Sequence, residues 1–361
     1  MNENSPMLLI GIGTAGCAMT RGVRRAFGSD LRYVLIDTAA ASGLEDENFI
    51  LIGGDRLSGH GTGGDFVAGR CAAEDSIKMI DEHLEGVRMA IIVTALGGGT
   101  GSGATLETVK YLSSHGIPSV VFATYPFTFE GESQQRNARG VTAMIEDAAN
   151  CTFLLPLDKL INGIDNMDEA MRRAIDTIAS GVTLFWRLLE KPGYIRLDVE
   201  RLRHLCASAG RGRFAVVTAQ GPDRAQDAIS QLISSPMLTT SSGPVKSMIC
   251  GILAGNDLLL SEVGMIADGL KQAFNDCSIN LATVNDEATF SGRLTVVTML
   301  FESNPTAGTH AVRAGGDIRR TARESAGHSA GGRFKNSAPT IWNGEDLDTP
   351  TFIRKGIQID L

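Results

Sequence analysis

Residues Gly97-Gly98-Gly99-Thr100-Gly101-Ser102-Gly103 hold five glycines in seven positions, directly after the apolar run Met89–Leu96. A backbone this bare can turn successive N–H groups inward and cradle phosphate oxygens. Thr100 and Ser102 add hydroxyl donors. The pattern downstream predicts a helix from Ala104 to Ser113, whose positive dipole end would face the same anion. No Lys-Ser/Thr pair follows the last glycine, so this is not a P-loop. A second cluster, Gly11-Ile12-Gly13-Thr14-Ala15-Gly16, closes the apolar run that begins at Met7. It fits the dinucleotide fingerprint, with Asp37 placed where a ribose-binding acid belongs. An NAD(P)-dependent oxidoreductase is therefore one reading of the N-terminus. It leaves Gly97–Gly103 without a role.

The elements around these loops alternate. Strands are predicted at Met7–Ile12, Arg32–Ile36, 89–96, Ser119–Ala123 and Cys151–Leu155. Helices are predicted from Gly11–Gly16 to about Phe27, over Ala68–Leu84 and over Gly131–Asn150. Such alternation implies an α/β fold with a Rossmann-like parallel sheet covered on both faces. Met167–Leu189 reads as one long amphipathic helix, stopped by Lys191-Pro192-Gly193. Beyond Gly210, strands at Phe214–Ala219, Val245–Leu253, Ser278–Val284 and Arg293–Phe301 enclose helices at Arg224–Ile233 and Leu259–Phe274. This is the pattern of a smaller α+β domain. The expected organisation is an α/β domain over 1–166, a central helix over 167–190 and a loop with its following helix over 191–210. An α+β domain over 211–302, a disordered linker over 303–344 and a tail peptide over 345–361 complete it.

Composition excludes several classes. The formal net charge of −8 and the hydrophobic share of 43% describe an ordinary globular chain, not a dedicated nucleic-acid binder. The stretch from Glu302 to Gly344 carries six Lys/Arg against three Asp/Glu, a solvated spacer more than a nucleic-acid arm. Six cysteines are scattered without a CxxC pair and read as reduced, mostly buried hydrophobes of a cytosolic protein. The histidines are equally dispersed, so no side-chain metal site is expected. The apolar start is too short for a signal peptide or a membrane span.

The glycine loop resembles the signature GGGTG[ST]G of the tubulin/FtsZ family, and the chain is similar to FtsZ from Leu8 to Phe301 and again in the tail. Gly59-His60-Gly61-Thr62-Gly63-Gly64-Asp65 looks like the family's third loop, Pro126–Gly131 its fifth, and Leu155–Leu160 its sixth. Ser234-Ser235-Pro236 is a further landmark. The resemblance implies a GTP-binding protein that polymerises head-to-tail into filaments for cell division, with GTP/GDP and Mg²⁺ as cofactors. Its nucleotide residues would be Gly11, Gly13, Thr14, Ala15, Gly16, Gly61, Thr62, Gly63, Gly64 and Gly97 through Gly103. Glu130 would contact ribose, Arg136 or Gln134 the γ-phosphate, and Asp176 the guanine. The tail residues Asp346, Leu347, Asp348, Pro350, Phe352, Ile353 and Arg354 are similar to the peptide that docks on membrane anchors and division proteins. The implied setting is the cytoplasm at the division site, without membrane insertion.

Departures from the family pattern carry weight. Cys17 and Leu157 each stand where the family has Asn, and Ala39 replaces an acid. The loop that one subunit offers to its neighbour's nucleotide has the pattern Asn-x-Asp-Phe-Ala-Asp; here it reads Arg196-Leu197-Asp198-Val199-Glu200-Arg201. Asp198, Glu200 and Arg201 are the catalytic candidates. Two readings of Arg201 stand: a finger that stabilises phosphoryl charge, or a substitution that weakens hydrolysis by removing a carboxylate. A nucleotide-binding paralogue that co-assembles with another FtsZ is a further possibility.

Overall fold

In the computed structural model the described residues are 5–27, 31–43, 46–160, 166–190, 193–207, 209–239, 245–275, 277–303, 341–342 and 345–346. The strands are β1 (Met7–Ile12), β2 (Tyr33–Asp37), β3 (Phe49–Leu51), β4 (Met89–Ala95), β5 (Ser119–Tyr125), β6 (Cys151–Pro156), β7 (Ala209–Gln220), β8 (Val245–Ala254), β9 (Ser278–Asn285) and β10 (Arg293–Ser303). They form one sheet in the order β3-β2-β1-β4-β5-β6-β7-β10-β8-β9. All pairings from β3 to β7 are parallel, while β10 lies antiparallel between β7 and β8. The α/β expectation holds. The later strands extend the same sheet, because β6 meets β7 at Thr152↔Arg211 and Phe153↔Gly212.

The longer helices are α1 (Gly13–Phe27), α2 (Phe66–Ser76), α3 (Gly99–Ser114), α4 (Glu132–Ala148), α5 (Met167–Glu190), α6 (Val199–Ala207), α7 (Arg224–Ser234) and α8 (Leu260–Ala273). Two differ from expectation. Helix α3 starts at Gly99 rather than Ala104, so the glycine loop is itself the first turn. The single helix expected over 68–84 is instead α2 followed by a 3-10 segment, Ile77–His83.

Alternation along buried strands splits the core by face. Met7, Leu9, Ile91, Val93, Phe122 and Phe153 face α5 through Ile178, Val182, Phe185 and Trp186. Leu8, Ile10, Ile92 and Val121 face Leu106 and Val109 of α3. Helix α5 runs on past β7 and β8, where a Cβ on Gly181 would lie 2.3 Å from Phe214 and one on Gly251 2.3 Å from Leu188. Small residues at these two positions let the helix lie close on the later strands.

The described residues from 5 to 303 belong to one compact unit. In a second unit, Ile341–Trp342 pairs antiparallel with Glu345–Asp346, placing Asp346 in a two-residue ladder. The linker expected over 303–344 lies outside the described residues apart from 303 and 341–342, as do Leu347, Asp348, Pro350, Phe352, Ile353 and Arg354. No helix among the described residues is long and apolar enough to cross a membrane.

Candidate functional site

The order β3-β2-β1-β4-β5-β6 reverses direction between β1 and β4. Connections from β1 proceed to one side and those from β4 to the other, which opens a crevice at the carboxyl ends of these two strands. Gly11–Gly16 leaves β1 and Gly97–Gly103 leaves β4, so both loops line that crevice. The helix starts touch: a Cβ on Gly13 (φ +76°) would lie 3.1 Å from the Gly101 nitrogen.

Both helices begin without a side-chain donor or acceptor closing the first turn. Gly98 is the N-cap of α3, and the first helical bond runs from Ser102 N–H to Gly98 O at 3.1 Å. The N–H groups of Gly98, Gly99, Thr100 and Gly101 meet no acceptor among the described residues, nor do those of Thr14 and Ala15, whereas Gly16 N–H closes the first turn of α1 onto Ile12 O. Gly99, Thr100 and Gly101 are buried. Buried N–H groups are nearly always paired, so two converging helix starts with unspent donors make a built anion site.

The glycines divide by purpose. A Cβ on Gly99 would meet Asp65 O at 2.2 Å, on Gly101 Ala95 O at 2.1 Å, and on Gly103 Arg70 N at 2.5 Å. These three are glycine because α2, α3 and β4 pack backbone to backbone. Gly98 differs: it is exposed, has an ordinary φ of −76°, and its Cβ would meet nothing within 4 Å. Gly61 (φ +80°), Gly63 (φ +60°) and Gly64 (φ +87°) need glycine for their left-handed backbone, and the last two face open space.

Hydroxyls knit the loops together. Thr100 Oγ1 lies 2.6 Å from Thr38 Oγ1, and Ser102 Oγ accepts from Gly97 N–H at 2.9 Å. The Thr94 hydroxyl lies between Ile12 O and Gly101 O, at 3.2 and 3.0 Å, and its single proton ties the two loops at one height. Asn137 Nδ2 reaches Gly64 O and Gly97 O at 3.4 Å each. Asp65 caps α2 by accepting from Val67 N–H and Ala68 N–H, and Thr62 O accepts from Asp65 N–H. Thr38, Thr94 and Asn137 were not among the sequence candidates. Their signal was chemical type alone, since nothing local tells a threonine which loop it will face.

Several expected residues are engaged within the chain. Thr14 Oγ1 donates to Asp37 Oδ2 at 2.9 Å, Ser42 Oγ to the same oxygen at 2.5 Å, and Thr38 N–H to Oδ1 at 2.8 Å. Asp37 is 1% exposed, so its carboxylate is spent inside the protein and offers nothing to a ribose. That removes the acid the oxidoreductase reading needs. Cys17 points into the core toward Gly11 O and Ile36 O, and burial pushes its thiol up to about 12. Glu130 accepts from Phe127 N–H at 2.8 Å and stands exposed in the loop beyond β5. Arg136 is exposed on α4, and Gln134 O lies 3.2 Å from a Cβ on Gly97. Asp176 is exposed on α5, lining an open cleft of about 750 Å³ with Glu169, Arg172, Arg173 and Thr177. Neither glycine loop lines that cleft. α1 does approach beside it, with Gly22 against Ile175 and Ala179.

Asp198, Glu200 and Arg201 sit elsewhere. Glu200 pairs with Arg88, the residue just before β4, and with Arg203 at 3.2 Å. The glycine loop follows the other end of β4. A seven-residue strand separates the two edges by roughly 23 Å. Asp198 caps α6, accepting from Arg201 N–H at 2.7 Å. The Arg201 guanidinium turns away and donates to Asn280 Oδ1 from Nε at 3.0 Å and Nη2 at 2.7 Å.

Residues 7–165 match the family model described as Tubulin/FtsZ family, GTPase domain. FtsZ from M. jannaschii, solved as an empty dimer, superposes with a TM-score of 0.76 at 22% identity, covering 82% of this chain and 87% of its own. CetZ2 from Haloferax volcanii, solved as a GTPgS-bound protofilament, gives 0.70 at 22% identity over 83% and 93%. CetZ1 from the same organism, a GDP-bound monomer, gives 0.71 at 17% over 84% and 96%. Residues 7–165 thus carry the GTPase domain of the tubulin/FtsZ family, and the chain shares the fold of these FtsZ and CetZ structures.

Proposed function

We propose that this protein binds GTP with Mg²⁺ in the β1/β4 crevice and polymerises head-to-tail, hydrolysing GTP slowly where two subunits meet. The phosphates would rest on the unspent N–H groups of Thr14, Ala15 and Gly98–Gly101 and on the loop at Gly61–Gly64. Glu130 would face ribose, Arg136 or Gln134 the γ-phosphate, and Asp176 the base. The described residues offer no cluster of three ligating side chains. The Mg²⁺ would therefore be held largely by phosphate oxygens and water.

One observation carries the reading: Asp198 and the phosphate site lie at opposite edges of β4, roughly 23 Å apart. Within one chain the carboxylate cannot reach the nucleotide. A second copy stacked in the same orientation brings its Asp198 onto the crevice, and repetition gives an open filament. Exposed apolar side chains at both ends support this stacking: Val67 and Phe129 beside the crevice, Tyr194 and Ile195 in the loop before Asp198. Asp198 would orient the attacking water. Glu200 is engaged with two arginines and does not replace the missing second carboxylate, and an arginine cannot act as base near neutral pH. Slow hydrolysis follows. The division role rests on the resemblance to FtsZ, and the partner-binding tail on that of residues 346–354.

GTP hydrolysis and sedimentation of the purified protein, with Arg201→Asp in parallel, test the proposal. Pelleting with slow phosphate release, accelerated by Arg201→Asp, supports it. GTP-independent behaviour in both assays overturns it.

A further inference from the structure

The loop from Gly193 to Arg201 is fastened to β9 at several points. Ile195 N–H donates to Thr283 Oγ1 at 3.0 Å, and Thr283 N–H donates to Ile195 O at 2.8 Å. Gly193 lies so close that a Cβ there would stand 1.7 Å from Thr283 O. Arg201 adds the last point, with two donors on Asn280 Oδ1. The Asn280 amide is itself oriented, since its Nδ2 donates to Met248 O on β8 at 3.1 Å. Oδ1 is thereby turned outward to receive the guanidinium.

Asp198 and Arg201 are three residues apart at the start of α6, a spacing at which opposite charges meet on one helix face. They make only a backbone contact: Oδ1 of Asp198 takes the Arg201 N–H, and Oδ2 has no partner among the described residues. No carboxylate lies within 4.0 Å of the Arg201 charge among the described residues. The cation adjacent to Asp198 is thus kept off it by a neutral amide from another strand.

We propose that Asn280 is a positioning residue for the interfacial reaction: it holds Arg201 aside and leaves Asp198 Oδ2 open to the neighbouring subunit. The inference rests on the reading that Asp198 acts on the next subunit's nucleotide. A chain that places Arg where a second carboxylate would serve must keep that arginine from neutralising the first. Asn280 does this without adding a charge, and Thr283 holds the rest of the loop in register.

Steady-state GTP hydrolysis of full-length Asn280→Ala, and of Asn280→Ala combined with Arg201→Ala, tests it, with GTP affinity and thermal melts on each. Freed from Asn280, Arg201 pairs with Asp198, and kcat falls at least about two-fold, the population shift expected of a helix ion pair. GTP affinity stays unchanged because the crevice is at the other edge of β4. Removing Arg201 as well recovers kcat above the Asn280→Ala value. The double variant has lost the same bond to Met248, so a merely structural role for Asn280 predicts no recovery. Raised salt should likewise relieve the Asn280→Ala defect more than it alters the wild type. An Asn280→Ala chain with wild-type kcat, or a double variant at or below the single one, overturns the proposal. A wild-type chain that binds no GTP would instead overturn the functional reading, and this inference with it.

Discussion

Gly98 offers a direct separation of ligand contact from packing. An alanine there meets no atom within 4 Å and keeps a φ of −76°, so the folded chain accepts it without strain. As an N-cap, alanine is worse than glycine by up to about 1 kcal/mol, and loss of glycine's unfolded-state freedom returns about 0.4–1 kcal/mol. Stability should therefore change by less than about 0.5 kcal/mol. Binding should not escape. The methyl group would stand where a phosphate oxygen must approach the N–H groups of Gly98–Gly101, and losing one charge-assisted bond costs about 1.5–3 kcal/mol. GTP affinity then falls roughly 10- to 100-fold. Titration of a fluorescent GTP analogue, with urea denaturation of the unliganded protein, reads both quantities. Gly101→Ala is the contrast: its Cβ would lie 2.1 Å from Ala95 O, so it should fail on stability before affinity can be measured. Unchanged affinity in a well-folded Gly98→Ala chain would refute the placement of phosphate on this turn.

Arg201→Asp restores a second carboxylate beside Asp198 and should raise kcat by about ten-fold or more, against roughly 10²–10⁴ for a full acid–base contribution; a fall would favour an arginine that stabilises phosphoryl charge. Thr100→Val leaves the buried Thr38 hydroxyl, now 2.6 Å from its partner, unsatisfied, and should cost about 1–3 kcal/mol in urea melts while weakening GTP binding. Glu262 is held below the usual carboxylate range chiefly by hydrogen bonds from Arg224, at 2.6 and 3.0 Å. Because the unfolded chain takes up that proton first, the stabilisation is fully present above about pH 4.3 and is lost as pH falls through the depressed folded value. Glu262→Gln should destabilise the protein at pH 7 and flatten this part of the acid slope; an unchanged slope would show the pair contributes nothing.

The two glycine loops, the alternating elements and the long helix were all legible in the residues, because phosphate cradles, strand periodicity and helix amphipathicity are local properties. Most strand and helix positions between Met7 and Phe301 could be read for the same reason, but not the short edge strand β3, the start of α3 at Gly99 or the break in the helix after Ser76. The sequence could not say which glycines serve packing and which serve a ligand. Gly98 and Gly101 stand in one motif, and only the neighbours at Asp65, Ala95 and Arg70 distinguish them. Asp37 shows the limit in the other direction: its position suggested a ribose contact, while Thr14, Ser42 and Thr38 fold around it and consume both oxygens. Nor could spacing place Asp198 at the far edge of β4, since that follows from Glu200 meeting Arg88, 112 positions away. By itself the sequence determined the chemistry available, a bare backbone for an anion and a carboxylate beside an arginine. Tertiary structure alone decided that the two sit on opposite edges of one sheet, because strand order and long-range pairing, not local composition, set distances between loops.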